Sequence, residues 1–145
     1  MKYGVLLTAI HDASTPAAQQ RREHEELVRT AEELGFEMMV AGQHFLGSEL
    51  RYFQPIPWLT HMAQVAPSMR VATGIILLSM VNPVDMAEQM ATLDALTDGR
   101  AIFGAGLGYS GHEFDAFRVR KGERVRRFEE SLELIKQLWS GETVD

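Results

Sequence analysis

Short apolar runs alternate with longer amphipathic segments four times along this chain, and glycine or proline stands at almost every change. Tyr3–Thr8, Phe36–Ala41, Val71–Leu78 and Ala101–Leu107 read as strands. Between and after them, apolar residues recur at helical spacing. The first stripe is Leu27, Ala31 and Leu34, and the second is Leu59, Met62, Ala63 and Ala66. The third is Met86, Met90, Leu93 and Leu96 or Thr97, and the fourth is Phe128, Leu132, Ile135 and Leu138 or Trp139. Ser14-Thr15-Pro16 and Asn82-Pro83 each offer a capping side chain followed by proline at the first helical position. Gly35 and Gly141 stop helices. Val71–Leu78 is almost continuously apolar, as in a strand covered on both faces. Gly108–Gly122 reads as a polar loop. A βαβαβαβα order implies a parallel sheet with right-handed crossovers. It fits either an open doubly wound sheet or part of a (β/α)₈ barrel, and periodicity alone leaves both open.

No linker or low-complexity stretch divides the 145 residues, so residues 1–145 read as a single domain. A chain of this size buries roughly 70% of its unfolded surface. No apolar run reaches the ~18 residues of a spanning helix. Met1–Leu7 is followed at once by polar residues and reads as a strand, not a signal peptide. The absence of cysteine excludes disulfides and Cys-ligated zinc or iron–sulfur sites, and suits a cytoplasmic protein. Fourteen basic against 20 acidic residues give a net charge of −6, so no overall attraction to nucleic acid or an anionic membrane is expected.

In both architectures function gathers at the carboxyl ends of the strands. Here these are Thr8-Ala9-Ile10-His11, Gly42-Gln43-His44-Phe45, Leu78-Ser79-Met80 and Gly106-Leu107-Gly108-Tyr109-Ser110. His44 directly follows a buried strand, with Gly42 leaving room for a ligand, and its imidazole can exchange a proton near neutral pH. A strand-end histidine bonded to backbone would look the same. His11 begins a more polar loop, and His24, His61 and His112 suit structural roles. Gly104-Ala105-Gly106-Leu107-Gly108 lacks the spacing of a dinucleotide fingerprint and reads better as backbone open beside a flat ligand. Gly74 marks either a bulge or tight packing against the strand. Arg118, Arg120, Lys121, Arg124, Arg126 and Arg127 read as a solvated helix face paired with Glu123, Glu129 and Glu130, ahead of an anion site. The methionines fill core positions. No catalytic carboxylate pair, serine elbow or H-E-x-x-H motif is present.

Several segments together resemble the bacterial luciferase-like, flavin-dependent monooxygenase family. They are Ala31–Phe36 leading into Gln43-His44-Phe45, Arg70–Ile75 with Asn82-Pro83-Val84, and Ala87–Asp94 followed by Asp98-Gly99-Arg100. Gly104–Tyr109 with Glu113-Phe114, and Arg127–Glu130, continue the match to cover almost the whole chain in order. The resemblance implies a (β/α)₈ TIM barrel, of which this chain would be the first four βα units, an N-terminal half-barrel. It implies FMN, or a deazaflavin in some branches. His44 would lie near the reactive flavin edge, hydrogen-bonding or giving a proton there. A non-proline cis peptide at Gly74–Ile75 would stand behind the ring. Ser79 and the segment Gly106, Leu107, Gly108 to Ser110 would border the cofactor. Gln43 replaces an acidic residue of some members. Leu107 stands where sugar-phosphate-oxidising deazaflavin members have glutamate, which disfavours that branch.

The expected activity is therefore that of a flavin-dependent oxidoreductase or monooxygenase. Reduced flavin would activate O₂ to oxidise a small organic substrate, with a flavin reductase as a possible partner. A closed barrel needs about 200–250 residues, so this chain alone is expected to be incomplete. Two alternatives follow. A non-catalytic half-barrel would self-associate as a homo-oligomer through two open sheet edges and an uncovered apolar face. A deazaflavin enzyme would transfer hydride. An open flavodoxin-like module is disfavoured, because its first loop lacks phosphate-cradling glycines.

Overall fold

The computed structural model describes residues 1–8, 11–47, 49–141 and 143; Ala9 and Ile10 of the predicted first strand end lie outside the described residues. All four predicted strands form, each shorter than its apolar run. The first two are β1 (Gly4–Leu7) and β2 (Met38–Ala41). The third run breaks into β3 (Arg70–Thr73) and β4 (Ile76–Leu77), and the fourth into β5 (Ala101–Ile102) and β6 (Ala105–Gly106). β1, β2, β3 and β5 make one parallel sheet in chain order, and β4 and β6 pair in a short parallel layer beyond it.

The break in the third run falls at Gly74–Ile75, whose peptide bond is cis. Thr73 bridges the gap to the fourth run: its hydroxyl donates to the Gly104 carbonyl and accepts from the Gly104 N–H, each at 2.8 Å. A Cβ on Gly104 would stand 2.1 Å from the Thr73 carbonyl oxygen, so only glycine allows this approach.

The helices are α1 (Ala17–Glu33), α2 (Pro55–Val65), α3 (Pro83–Leu96), α4 (Gly111–Ala116) and α5 (Arg124–Ser140), with a 3₁₀ turn at Lys121–Glu123 before α5. Asn82 caps α3 as expected, its side-chain oxygen accepting from Val84 N–H at 2.9 Å and Asp85 N–H at 3.2 Å. The cap predicted for α1 is not made by Ser14 or Thr15. Asp12 organises the preceding turn instead, accepting from Ser14 N–H at 2.6 Å, and Pro16 occupies the N-cap without a side-chain bond. The predicted polar loop 108–122 contains α4, whose Phe114 is buried with Leu77 and Met80.

Side-chain alternation on the strands settles the architecture. Val5, Met39, Val71 and Ala101 are register partners, as are Leu7, Ala41 and Thr73. Of these, Leu7, Met39, Ala41 and Val71 pack into one cluster with Val28, Leu59, Met62, Met90, Leu93 and Ile135 from the helices. The opposite row, Leu6, Val40, Ala72 and Ile102, lies outside that cluster; Ala72 at its centre is buried, Val40 and Ile102 are partly buried, and Leu6 at the edge is 53% exposed. Helices on one face of a parallel sheet in sequential order are the barrel arrangement, not the doubly wound one. Coverage on both faces, expected for the whole of Val71–Leu78, fails at Gly74 and Ile75, the two exposed residues in a run otherwise buried from 71 to 80.

Candidate functional site

The segment after β2 is fixed by side chains on both sides. Gln43 is buried, and its side-chain oxygen accepts from the Leu77 N–H at 2.8 Å. Its amide nitrogen donates to the Gln54 side-chain oxygen at 3.1 Å, and the Gln54 amide nitrogen in turn donates to the His44 carbonyl at 3.0 Å. His44 is thereby set at the end of β2 with its side chain 31% exposed. Its Nδ1 lies 3.2 Å from Oε1 of Glu113, a residue of α4 that is only 1% exposed. The same oxygen accepts from the Phe45 N–H at 2.8 Å. The His44 ring also lies against Tyr52, with centroids 4.8 Å apart, and edge-on to Tyr109 at 6.0 Å.

His44 and Tyr52 stand between two cavities. One, of about 280 Å³, has Leu6, Leu7, Thr8, Gly42 and Gly74 as its remaining lining. The other, of about 400 Å³, opens toward Leu46, Tyr109, Ser110 and His112. The floor of the first is bare backbone: a Cβ on Gly74 would come within 2.3 Å of Val40 Cγ1, and one on Gly42 within 3.1 Å of the Gly74 carbonyl oxygen. A floor without side chains at Gly42 and Gly74, with an imidazole at its rim, leaves room for a flat ring. Packing also demands glycine at position 74, although the neighbour is Val40 of the adjacent strand β2 and not a helix over the strand.

The remaining expected cofactor contacts divide. Ser110 lines the second cavity, its hydroxyl 2.8 Å from His112 Nδ1. Ser79 lines neither of these two cavities: it is fully buried, and its hydroxyl donates to the Leu107 carbonyl at 2.7 Å. Gly106, Leu107 and Gly108 are absent from the lining of both cavities. Ile75 covers Gly106, its Cδ1 standing 2.1 Å from where a Cβ would be, and Met80 Cε lies 2.6 Å from the corresponding point on Gly108. A side chain at either glycine would meet neighbouring protein atoms, while the segment from 104 to 108 is partly exposed.

Sequence reasoning missed Glu113 as a partner of His44, since nothing local marks a carboxylate whose partner is 69 residues away. It also missed the Gln43–Gln54 pair. The basic run is largely used within the fold, as read. Arg120 pairs with Glu123, Arg126 lies 3.5 Å from Glu130, and Arg127 Nε donates to the Ser79 carbonyl at 2.7 Å. His24 is 3% exposed, and burial, followed by the nearby His11 charge, holds its pKa below the ordinary histidine value. Glu25 is held low chiefly by the hydrogen bond from His61, and Glu23 by those from Gln19 and His11. Among the described residues no group of three His, Cys, Asp or Glu side chains could hold a metal ion, and no helix is long and apolar enough to cross a membrane.

Comparison with known proteins matches residues 1–145 to the family described as luciferase-like monooxygenase. Limonene 1,2-monooxygenase of Rhodococcus erythropolis is 29% identical over 142 residues, covering 98% of this chain and 37% of that protein. The F420-dependent glucose-6-phosphate dehydrogenase of Amycolatopsis mediterranei (strain U-32) is 29% identical over 128 residues, covering 79% of this chain and 37% of its own. Among solved structures, the monooxygenase RslO1 from Streptomyces bottropensis superposes with a TM-score of 0.89 at 30% identity, over 96% of this chain and 43% of that one. The chain thus spans well under half the length of these relatives. It belongs to the luciferase-like monooxygenase family.

Proposed function

We propose that this member of the family carries the ring-binding half of a flavin-dependent oxidoreductase site, with FMN as the cofactor. The reading rests on one feature above all: Gly74, which with Ile75 is exposed in a run otherwise buried from 71 to 80, lines the same cavity as His44 and Gly42. A reduced flavin bound there supplies the electrons that activate O₂ toward a small organic substrate. Gly42, Gly74 and Ile75 seat the flat ring, and Leu6 and Leu7 keep that side of it apolar. His44 holds or gives a proton at the rim. Ser110 and His112, with the exposed ring of Tyr109, face the cavity on the other side of His44, where the organic substrate would enter. Partition of the two cavities by one imidazole is what such a reaction needs, because the proton must be available between cofactor and substrate.

A deazaflavin is the second reading, favoured by the F420-dependent relative. Leu107 weighs against its sugar-phosphate-oxidising form. Titrating the purified chain with FMN and separately with F420, and following fluorescence quenching, separates the two. Quenching of FMN is expected, quenching of F420 alone would transfer the proposal to hydride chemistry, and quenching of neither would overturn it. In that last event the uncovered sheet face around Leu6, with β1 and β5 as edge strands, supports a scaffold that self-associates, which mass measurement in solution would register.

A further inference from the structure

We infer that Glu113 is a positioning residue that holds His44 as the Nδ1–H tautomer, leaving Nε2 as the unprotonated nitrogen available to the cavities. Glu113 Oε1 already accepts the Phe45 N–H at 2.8 Å, so the proton in its 3.2 Å contact with His44 belongs on Nδ1. A carboxylate carries acceptors only, so it takes its hydrogen from Nδ1, and with Oε2 enclosed and without a bonded partner among the described residues, Oε1 is the oxygen that orients the ring. Among the described residues His44 Nε2 makes no protein hydrogen bond, and it is not one of the enclosed unbonded atoms, so it is the open end of the ring. A free imidazole in water favours the other tautomer, so the carboxylate reverses the default. The backbone is held as well: Gln54 binds the His44 carbonyl, and Glu113 binds the next amide. Ring, preceding carbonyl and following N–H are therefore fixed together, with the carboxylate supplied by α4 and not by β2.

The inference rests on the proposed function only for the use made of Nε2; the tautomer itself is a property of the chain without cofactor. Long-range ¹H–¹⁵N correlation spectra of the purified chain, taken about two pH units above the ordinary histidine value, read it directly, with His44→Gln assigning the signals. The expected pattern is a pyrrole-type Nδ1 and a pyridine-type Nε2. In Glu113→Leu the two should exchange character, whereas Glu113→Gln, which keeps an acceptor oxygen, should retain the wild-type pattern. A pyridine-type Nδ1 in the wild type, or an unchanged pattern in Glu113→Leu, would overturn the assignment. If Glu113→Leu does not fold, the wild-type and Glu113→Gln spectra decide alone: Nδ1–H in both supports it, and Nε2–H in the wild type refutes it. Flavin quenching measured on the same samples keeps the questions apart, since loss of flavin binding with an Nδ1–H ring removes the cofactor reading and leaves the tautomer in place.

Discussion

His44 with Glu113 and the group His11, His24 and His61 with Glu23 and Glu25 are made of the same side chains, and both lie among aromatic rings. In the second group the spare nitrogens point inward: Nδ1 of His11 and Nδ1 of His24 are both enclosed and unbonded. The two rings meet edge-on at 5.6 Å, and His24 lies 5.7 Å from Trp58, which in turn stacks on His61. His11 and His61 are tied to Glu23 and Glu25 on α1. Charging the His24 ring would place a cation in the core beside the His11 ring, so burial holds it below the ordinary histidine value, and the group packs α1 against α2. At His44 the carboxylate is the buried partner and the imidazole is the half-open one. The contrast is sharpest against His11–Glu23, where the imidazole is 10% and the carboxylate 46% exposed; His61–Glu25 has the same sense of exposure as His44–Glu113, but its ring is stacked on Trp58.

The largest test of this contrast is Trp58→Ala. Trp58 joins Phe53, His24 and His61, and its removal should cost about 3–5 kcal/mol, read from the urea midpoint at unchanged slope, while the Nδ1–H signal of His44 persists under native conditions. A mild loss would mean that the second cluster is not a packing unit. Next, His44→Ala should lower turnover of the flavin-loaded enzyme by ~10²-fold or more. Wild-type turnover in that variant would place His44 with the packing histidines.

The third test is pH. The folded His24 value is lowered, so the unfolded chain takes up the proton first as pH falls. Stability should be level above the ordinary value near 6.5, decline as pH drops below it, and level off again under the lowered folded value. Urea unfolding across that window should show the decline, and His24→Gln should flatten it. An equal decline in the variant would assign it to other groups. The lowered carboxylates, Glu23 and Glu25, act in a separate and more acidic range: their stabilisation is complete above about 4.5 and is lost as pH falls through their folded values. The smallest effect belongs to His61→Ala. Its imidazole is partly exposed, so its pairing with Glu25 should contribute no more than ~1 kcal/mol. A larger loss would mean that its stack on Trp58 carries weight of its own.

Much of the fold was legible because its signals are local. Asn82-Pro83 caps α3 through its own side chain and the next two amides, and the core stripes of α2, α3 and α5 are periodic over several turns; the stripe read on α1 is wrong at Leu27 and Leu34, which are exposed, because that helix buries Gln20, His24, Val28 and Ala31 instead. The break in the third strand was visible as a glycine in an apolar run and by family resemblance. The α4 helix was not, because six residues, GHEFDA, are too few to display a period. The cap of α1 was misplaced because Ser14-Thr15-Pro16 has the right letters, while Asp12 holds the turn one step earlier. In the site, His44 was found from its place at a strand end. Ser79 sits in a matching place, but its hydroxyl turns toward Leu107, a direction that no spacing encodes. Glu113 and Gln54 escaped because their roles exist only once distant segments meet.

The tie between Glu113 and His44 also sets an order in time. A chain emerges from its amino end at roughly 5–20 residues per second, so the histidine is made a few seconds before the carboxylate 69 positions later that orients it. By the end of α3 the first three strands and most of the apolar layer beneath their helices already exist. A nascent chain therefore carries the His44 imidazole without its carboxylate partner until α4 has been made and docks.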